Sequence, residues 1–175
     1  MSHSELHDLL QKNPAFSILS DEEISALVRE LQPISFKIGQ AICKEGQGDD
    51  SLFVIFSGRV RLLAATADGS ETPIATLEKG EHFGEQSLLT GSPSAYTIRA
   101  SEDTTIFRLK REALKDMLKS RPELRMLFEQ YISNLSIRNF LKRFTVFSAL
   151  PANTIKTLLE HLQEEHFSHG ATVFR

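Results

Sequence analysis

Cysteine is nearly absent from this 175-residue chain, and tryptophan is missing altogether. The single thiol, Cys43, has no partner within the chain for a disulfide, which suits a reducing compartment. Long apolar runs are lacking too: none reaches the roughly 18 residues that a membrane-spanning helix requires. The opening Met-Ser-His-Ser-Glu-Leu-His-Asp has no basic stretch leading into an apolar one, so no signal peptide is expected. Charge of one sign is scarce. With 20 Lys and Arg against 23 Asp and Glu, the net charge of −3 creates no overall field for nucleic acid or an anionic membrane. A cytoplasmic location is expected.

Catalytic signatures are also wanting. No Gly-Lys-Ser/Thr triplet exists for a phosphate loop, and Ser57-Gly58 has no Gly-x-Ser-x-Gly elbow around it. His3 and His7, and His166 and His169, could each share a helix face, but neither pair has an evident third ligand, so no metal site is expected. Asp21, Glu22 and Glu23 are better explained as the start of a helix. The chain reads as non-enzymatic, with no catalytic residue and no certain cofactor. What it does have is apolar content, 41% of residues, enough to bury one core.

Signals are densest over residues 80–100, Gly-Glu-His-Phe-Gly-Glu-Gln-Ser-Leu-Leu-Thr-Gly-Ser-Pro-Ser-Ala-Tyr-Thr-Ile-Arg-Ala. This stretch resembles the phosphate-binding cassette of cyclic nucleotide-binding domains, which runs Phe-Gly-Glu, a short helical turn, then Pro-Arg-Ala-Ala-Thr before a strand. Phe83, Gly84, Glu85, Leu88, Leu89, Pro93, Ala95, Thr97 and Arg99 carry the agreement. The resemblance implies a ligand set of Phe83, Gly84, Glu85, Gln86, Ser87, Ser94, Ala95, Tyr96 and Thr97 around a cyclic nucleotide such as cAMP. Gly84 would let the backbone approach the ribose-phosphate, having no Cβ to collide with it. Gln86 and Ser87 would open a helical turn with N–H groups toward the anion, and Glu85 would accept from the ribose 2′-hydroxyl.

The pattern breaks at Ser94, where the family places the arginine that grips the phosphate. A guanidinium forms a charge-assisted fork with phosphate oxygens, whereas serine offers one neutral hydroxyl. Loss of a desolvated charge partner costs about 2–5 kcal/mol, so cyclic nucleotide binding is expected to be weak unless another cation reaches in. Tyr96 stands where the family keeps a small residue. It either stacks on a base or packs within a strand, and packing is the commoner use of such a residue. Ala95 lacks the hydroxyl that favours guanine in related domains, which leans any residual preference toward adenine.

The rest of the chain suits the same architecture. Residues 6–12 form a leading helical pattern, and Ser20-Asp21-Glu22-Glu23 reads as a capping box for a helix carrying Ile24, Leu27, Val28 and Leu31 on one face. From Ile34 the pattern turns to short strands punctuated by glycines, with Ala67-Asp68-Gly69-Ser70 as a hairpin turn between 60–66 and 72–77. Strands at 96–100 and 105–109 follow, then helices at 110–119 and after Pro122. The expected fold is α+β, mainly β: an antiparallel jelly-roll barrel with flanking N- and C-terminal helices. Residues 1–31 form its N-terminal helical segment, 32–109 the roll with the cassette at 80–97, and 110–145 the C-terminal helices.

Residues 146–175 repeat an earlier segment. A shift of 131 positions lays Phe147-Ser148-Ala149-Leu150 on Phe16-Ser17-Ile18-Leu19, and nine of the 29 pairs from Phe16/Phe147 to Lys44/Arg175 are identical. The tail therefore reads as the opening of a second domain of the same kind. It stands where transcription regulators of this superfamily carry a helix-turn-helix. The basic residues Lys110, Arg111, Lys115, Lys119, Arg121, Arg125, Arg138, Lys142 and Arg143 alternate with acidic ones, so they read as a solvated face rather than a nucleic-acid surface. One of them could stand in for the missing arginine.

Three readings follow. The first is a regulatory sensor, first of a tandem pair, linked covalently to a second domain and an output domain, with a bacterial membrane transporter as the favoured parent. The second is a degenerate domain that serves protein contacts. The third and weakest is a DNA-binding regulator. The apolar stripe Ile155, Leu158, Leu159, Leu162 and the strand-like Phe167, Val173 and Phe174 are expected either to pack on helices at 124–141 or to join a second copy in a homodimer.

Overall fold

The computed structural model describes residues 3–66, 68–144 and 146–161. Two helices lead, α1 (His3–Lys12) and α2 (Asp21–Glu30). The strands β1 (Gln32–Phe36), β2 (Ala41–Cys43), β3 (Ser51–Ser57), β4 (Arg59–Ala65), β5 (Glu71–Glu78) and β6 (His82–Phe83) precede a short helix α3 (Glu85–Thr90). The strands β7 (Thr97–Ala100) and β8 (Thr104–Lys110) complete the roll, and α4 (Arg111–Ser120) and α5 (Pro122–Phe144) follow. A 3-10 turn at Val146–Ala149 leads into α6 (Ala152–Glu160). The strands form two antiparallel sheets of four, in the orders β1-β8-β3-β6 and β2-β7-β4-β5. This is the expected mixed fold: a double-sheet roll with helices at both ends.

Helix α2 begins where the sequence placed it. Ser20 Oγ accepts from the Glu23 amide at 3.3 Å, and Glu23 Oε2 accepts from the Ser20 amide at 2.8 Å. The Glu23 carboxylate also receives the Arg121 fork at 2.9 and 3.1 Å, which ties the start of α2 to the junction of α4 and α5. That bond, followed by the one from Ser20, holds the Glu23 carboxyl below its ordinary range. Ser20→Ala is expected to cost about 1 kcal/mol, the usual value of an N-cap side chain. Urea unfolding checks this: the midpoint should fall with the slope unchanged.

β3 is buried on both faces, which explains its unbroken apolar run. Leu52 and Val54 face a cluster with Leu10, Ile24, Leu27, Leu124 and Phe128 of the helices and Phe16 of the turn between α1 and α2. Phe53 and Ile55, pointing the other way, join the barrel interior with Leu62, Ile74, Phe83, Ile98 and Ile106. The strand expected at 96–100 starts one residue later, because Tyr96 lies in the bend that precedes β7.

In the tail, the 3-10 turn and α6 stand where the shift of 131 positions lays the turn before α2 and α2 itself. Ile155 is fully buried like its counterpart Ile24, whereas Leu158 is 42% exposed where Leu27 is 2% exposed. The segment lies against α5 and β5, and Lys142 Nζ donates to the Ser148 carbonyl at 2.9 Å and also to that of Leu150. Leu162, Phe167, Val173 and Phe174 fall outside the described residues. Among the described residues, no helix is long and apolar enough to cross a membrane.

Candidate functional site

The site is built where β6 turns into α3 against the edge of β3. Gly84 makes that turn with φ of 100°, a region that side chains rarely adopt. A Cβ here would run into the Ser51 carbonyl oxygen and stand 3.3 Å from the Phe53 ring. Glycine is therefore required by the packing against β3, before any ligand is considered. Phe83 stacks on Phe53 with centroids 5.0 Å apart and points inward with Leu88. The second half of the cassette is held by the 44–50 loop: Gly46 donates to the Ser94 carbonyl at 2.9 Å, and the Ser94 amide donates to Gln47 at 2.8 Å.

A narrow cavity of about 40 Å³ lies between these segments. Phe83, Gly84, Glu85, Gln86, Ser87, Ser94, Ala95 and Tyr96 line it. Thr97 does not; its hydroxyl accepts from the Glu45 amide at 3.2 Å instead. Arg99 is also turned away, donating to Glu71 at 3.1 Å and to the Gly39 carbonyl at 3.2 Å. Sequence reasoning missed the opposite wall, which includes Cys43, Asp49 and Phe53 from the first half of the roll and Ile132 and Leu135 from α5. Tyr96 is buried, and its hydroxyl donates to the Leu135 carbonyl at 3.3 Å, so this ring both packs in the core and joins the cassette to α5.

Ser94 directs its hydroxyl at its own backbone. Oγ donates to the Tyr96 carbonyl at 2.8 Å and accepts from the Tyr96 amide at 3.3 Å. No lysine or arginine among the described residues lines the cavity. Arg108 is engaged by Asp49 and Ser51 Oγ, both at 2.9 Å, and Arg111 by Asp50 at 3.0 Å and the Ser87 carbonyl at 2.6 Å. Arg138 faces a separate groove beside Lys156, between α5, α6 and β5. None of the basic residues after Lys110 that could have stood in for the arginine is among the cavity's described lining.

Glu85 is 3% exposed, and its Oε1 has no hydrogen-bond partner. Burial pushes its carboxyl up to about 7, against the pull of the nearby Glu85 and Gly84 amides. His82 Nε2 and Glu85 Oε1 face each other at 3.4 Å without hydrogen-bond geometry, so each is left without a hydrogen-bond partner. Asn13 Nδ2 donates to the other ring nitrogen, Nδ1, at 3.0 Å and to the Gly80 carbonyl at 2.7 Å. That bond assigns the ring proton to Nε2 in the neutral imidazole. Burial holds His82 down to about 4. Its ring packs against Phe16, Phe128 and Tyr131 at centroid distances of 5.7, 5.5 and 4.9 Å. Nothing in the sequence had marked His82; only its contacts from two distant segments, around Asn13 to Phe16 and on α5, reveal it. Among the described residues, no group of His, Cys, Asp and Glu is placed to hold a metal.

The family model for the cyclic nucleotide-binding domain matches residues 33–121. The chain belongs to that family. It is 26% identical over 169 residues to a CRP-like cAMP-activated global transcriptional regulator of Mycobacterium tuberculosis, covering 96% of this chain and 75% of the relative. It is 27% identical to a cAMP-dependent protein kinase regulatory subunit of Dictyostelium discoideum, covering 97% of this chain and 50% of the relative. Among solved structures, cAMP-bound PfPKA-R superposes with a TM-score of 0.64 at 25% identity, covering 77% of this chain and 48% of that one. The relatives named here are regulators or regulatory subunits.

Proposed function

We propose that this chain is a regulatory sensor module whose cassette cavity takes a nucleotide-like ligand, binds cyclic nucleotides weakly, and controls an output domain of a larger protein. The observation that carries the weak binding is the Ser94 hydroxyl, bonded to the Tyr96 backbone in a cavity whose described lining has no cation. An intact turn at Gly84 and a buried Glu85 beside it support a pocket that still works. The segment repeated at a spacing of 131 residues supports a tandem arrangement. A transcriptional regulator stands among the relatives. The interleaved charges of α4 and α5 favour a chain that does not itself contact nucleic acid.

A second reading is a non-binding domain used for protein contact or homodimerisation. Met126 and Ile137 on α5, 66% and 42% exposed, favour it. Titration with cAMP, followed by amide shifts in NMR spectra, separates the two. The sensor reading expects fast-exchange shifts confined to residues 83–97 and the facing part of α5, saturating only at high ligand concentration. Absence of any shift there with cAMP and with nucleosides would leave the contact reading.

A further inference from the structure

We infer that His82 is a positioning residue of the cassette: Asn13, in the turn between α1 and α2, fixes its tautomer, and the Nε2–H that results holds the carboxyl of Glu85. The inference rests on the reading of the cavity as a ligand site, whose lining Glu85 joins. Its geometry runs through three buried side chains. Asn13 Oδ1 accepts from the Ala15 amide at 2.9 Å, and Nδ2 donates to the Gly80 carbonyl at 2.7 Å, which together settle the orientation of the amide. Nδ2 is then the atom that meets His82 Nδ1 at 3.0 Å, so Nδ1 is the acceptor and the ring proton stands on Nε2. Nε2 faces Glu85 Oε1 at 3.4 Å, and neither has another partner. The rings of Phe16, Phe128 and Tyr131 pack around the imidazole and keep it from turning away.

A buried carboxyl ionises only where donors replace the water it has lost. Around Glu85 these are the backbone amides of Gly84 and Glu85 and the His82 Nε2–H. Among the described residues, no lysine or arginine pairs with it. Tyr131 of α5 is the other titratable group packed here, and its hydroxyl donates to the His82 carbonyl at 3.4 Å. Arg138 of α5, Glu81 ahead of β6 and Tyr96 act on that phenol in turn. As the Glu85 carboxyl loses its proton, a movement of about half an ångström turns the 3.4 Å contact into a charge-assisted hydrogen bond. His82 therefore decides where the ionised carboxyl sits and at what pH it forms. Asn13 reaches this acceptor from the N-terminal helical segment without lining the cavity.

Two NMR measurements on the unliganded full chain test the inference. Long-range nitrogen spectra of the imidazole read the tautomer, and the side-chain carboxyl carbon of Glu85 reads its titration. The expected tautomer of His82 is Nε2–H. His82→Phe keeps the ring packing and removes the donor; it should raise the Glu85 midpoint by about one to two pH units, the worth of a hydrogen bond to a charged group. His82→Gln restores an N–H at the place of Nε2 and should bring the midpoint most of the way back. A residue that only filled space would give the two variants the same midpoint. An Nδ1–H tautomer overturns the inference, and so do equal midpoints in the unmodified chain and a folded His82→Phe. The tautomer is read without any substitution, so it decides even where His82→Phe does not fold. Absence of cAMP-induced amide shifts at residues 83–97 of the unmodified chain would count against the ligand-site reading alone, since both measurements are made without ligand.

Discussion

Ser94→Arg is expected to raise affinity for cAMP by roughly 30-fold to several thousand-fold, the equivalent of about 2–5 kcal/mol for a desolvated charge pair. The position is right for it: Ser94 lines the cavity, and both its backbone groups are fixed to the 44–50 loop, so the new side chain projects from a firm base. The substitution removes two weak hydroxyl contacts to Tyr96 and adds a forked donor. Asp49 is the competitor for that donor in the empty protein, although Arg108 already engages it at 2.9 Å. Side-by-side calorimetry of the two proteins measures the gain. A change smaller than about threefold would mean that the cavity does not present a phosphate to position 94.

Glu85→Gln is expected to stabilise the unliganded fold at pH 8 by about 3 kcal/mol, the rise of the carboxyl from 4.5 to about 7 converted at 1.36 kcal/mol per unit. The sign follows from burial. A carboxyl whose folded value is raised makes the folded state bind more protons, so its destabilisation sets in as pH climbs above 4.5 and is complete above 7. His82 acts in the opposite sense. With a folded value lowered from 6.5 to about 4, it subtracts stability as pH falls through that interval. The two slopes nearly cancel between pH 4.5 and 6.5, and the unmodified chain should show little pH dependence there. Glu85→Gln removes one of them, so the variant should lose stability on acidification below pH 6.5 while gaining at pH 8. Tyr131, also buried beside this pair, titrates well above the window. Urea unfolding at pH 4.5, 6 and 8 reads the effect, and identical curves for both proteins at pH 8 would refute it.

Much of the fold could be read from local pattern because the decisive signals are local. The capping box at Ser20 needs four consecutive residues, and the Phe-Gly-Glu stretch marks the turn at Gly84, although the packing that demands glycine there comes from Ser51 and Phe53. The cassette side of the cavity was legible for the same reason, since Phe83 to Ser87 and Ser94 to Tyr96 are contiguous stretches. Its opposite wall was not. Asp49, Phe53 and Leu135 are brought in by sheet pairing and by α5, and no short pattern distinguishes Leu135 from the other apolar residues of that helix. Thr97 was included by the motif, yet the alternation of β7 puts Ile98 in the cavity and leaves the Thr97 hydroxyl with Glu45. His82 was passed over because a lone histidine has no local signature of burial; its neutrality comes from Phe16, Phe128 and Asn13, all far away in the chain.

The position of α5 has a mechanical consequence. Leu135 forms part of the cavity wall, and Lys142, two turns further along the same helix, grips the carbonyls of Ser148 and Leu150. A helix rises about 1.5 Å per residue, so roughly 10 Å of stiff rod joins the two points. Tilting the rod at Leu135 swings its far end, and the lysine clamp compels the following turn and α6 to travel with it. The described part of the segment beyond Phe144 is thus held to the same helix that lines the cavity.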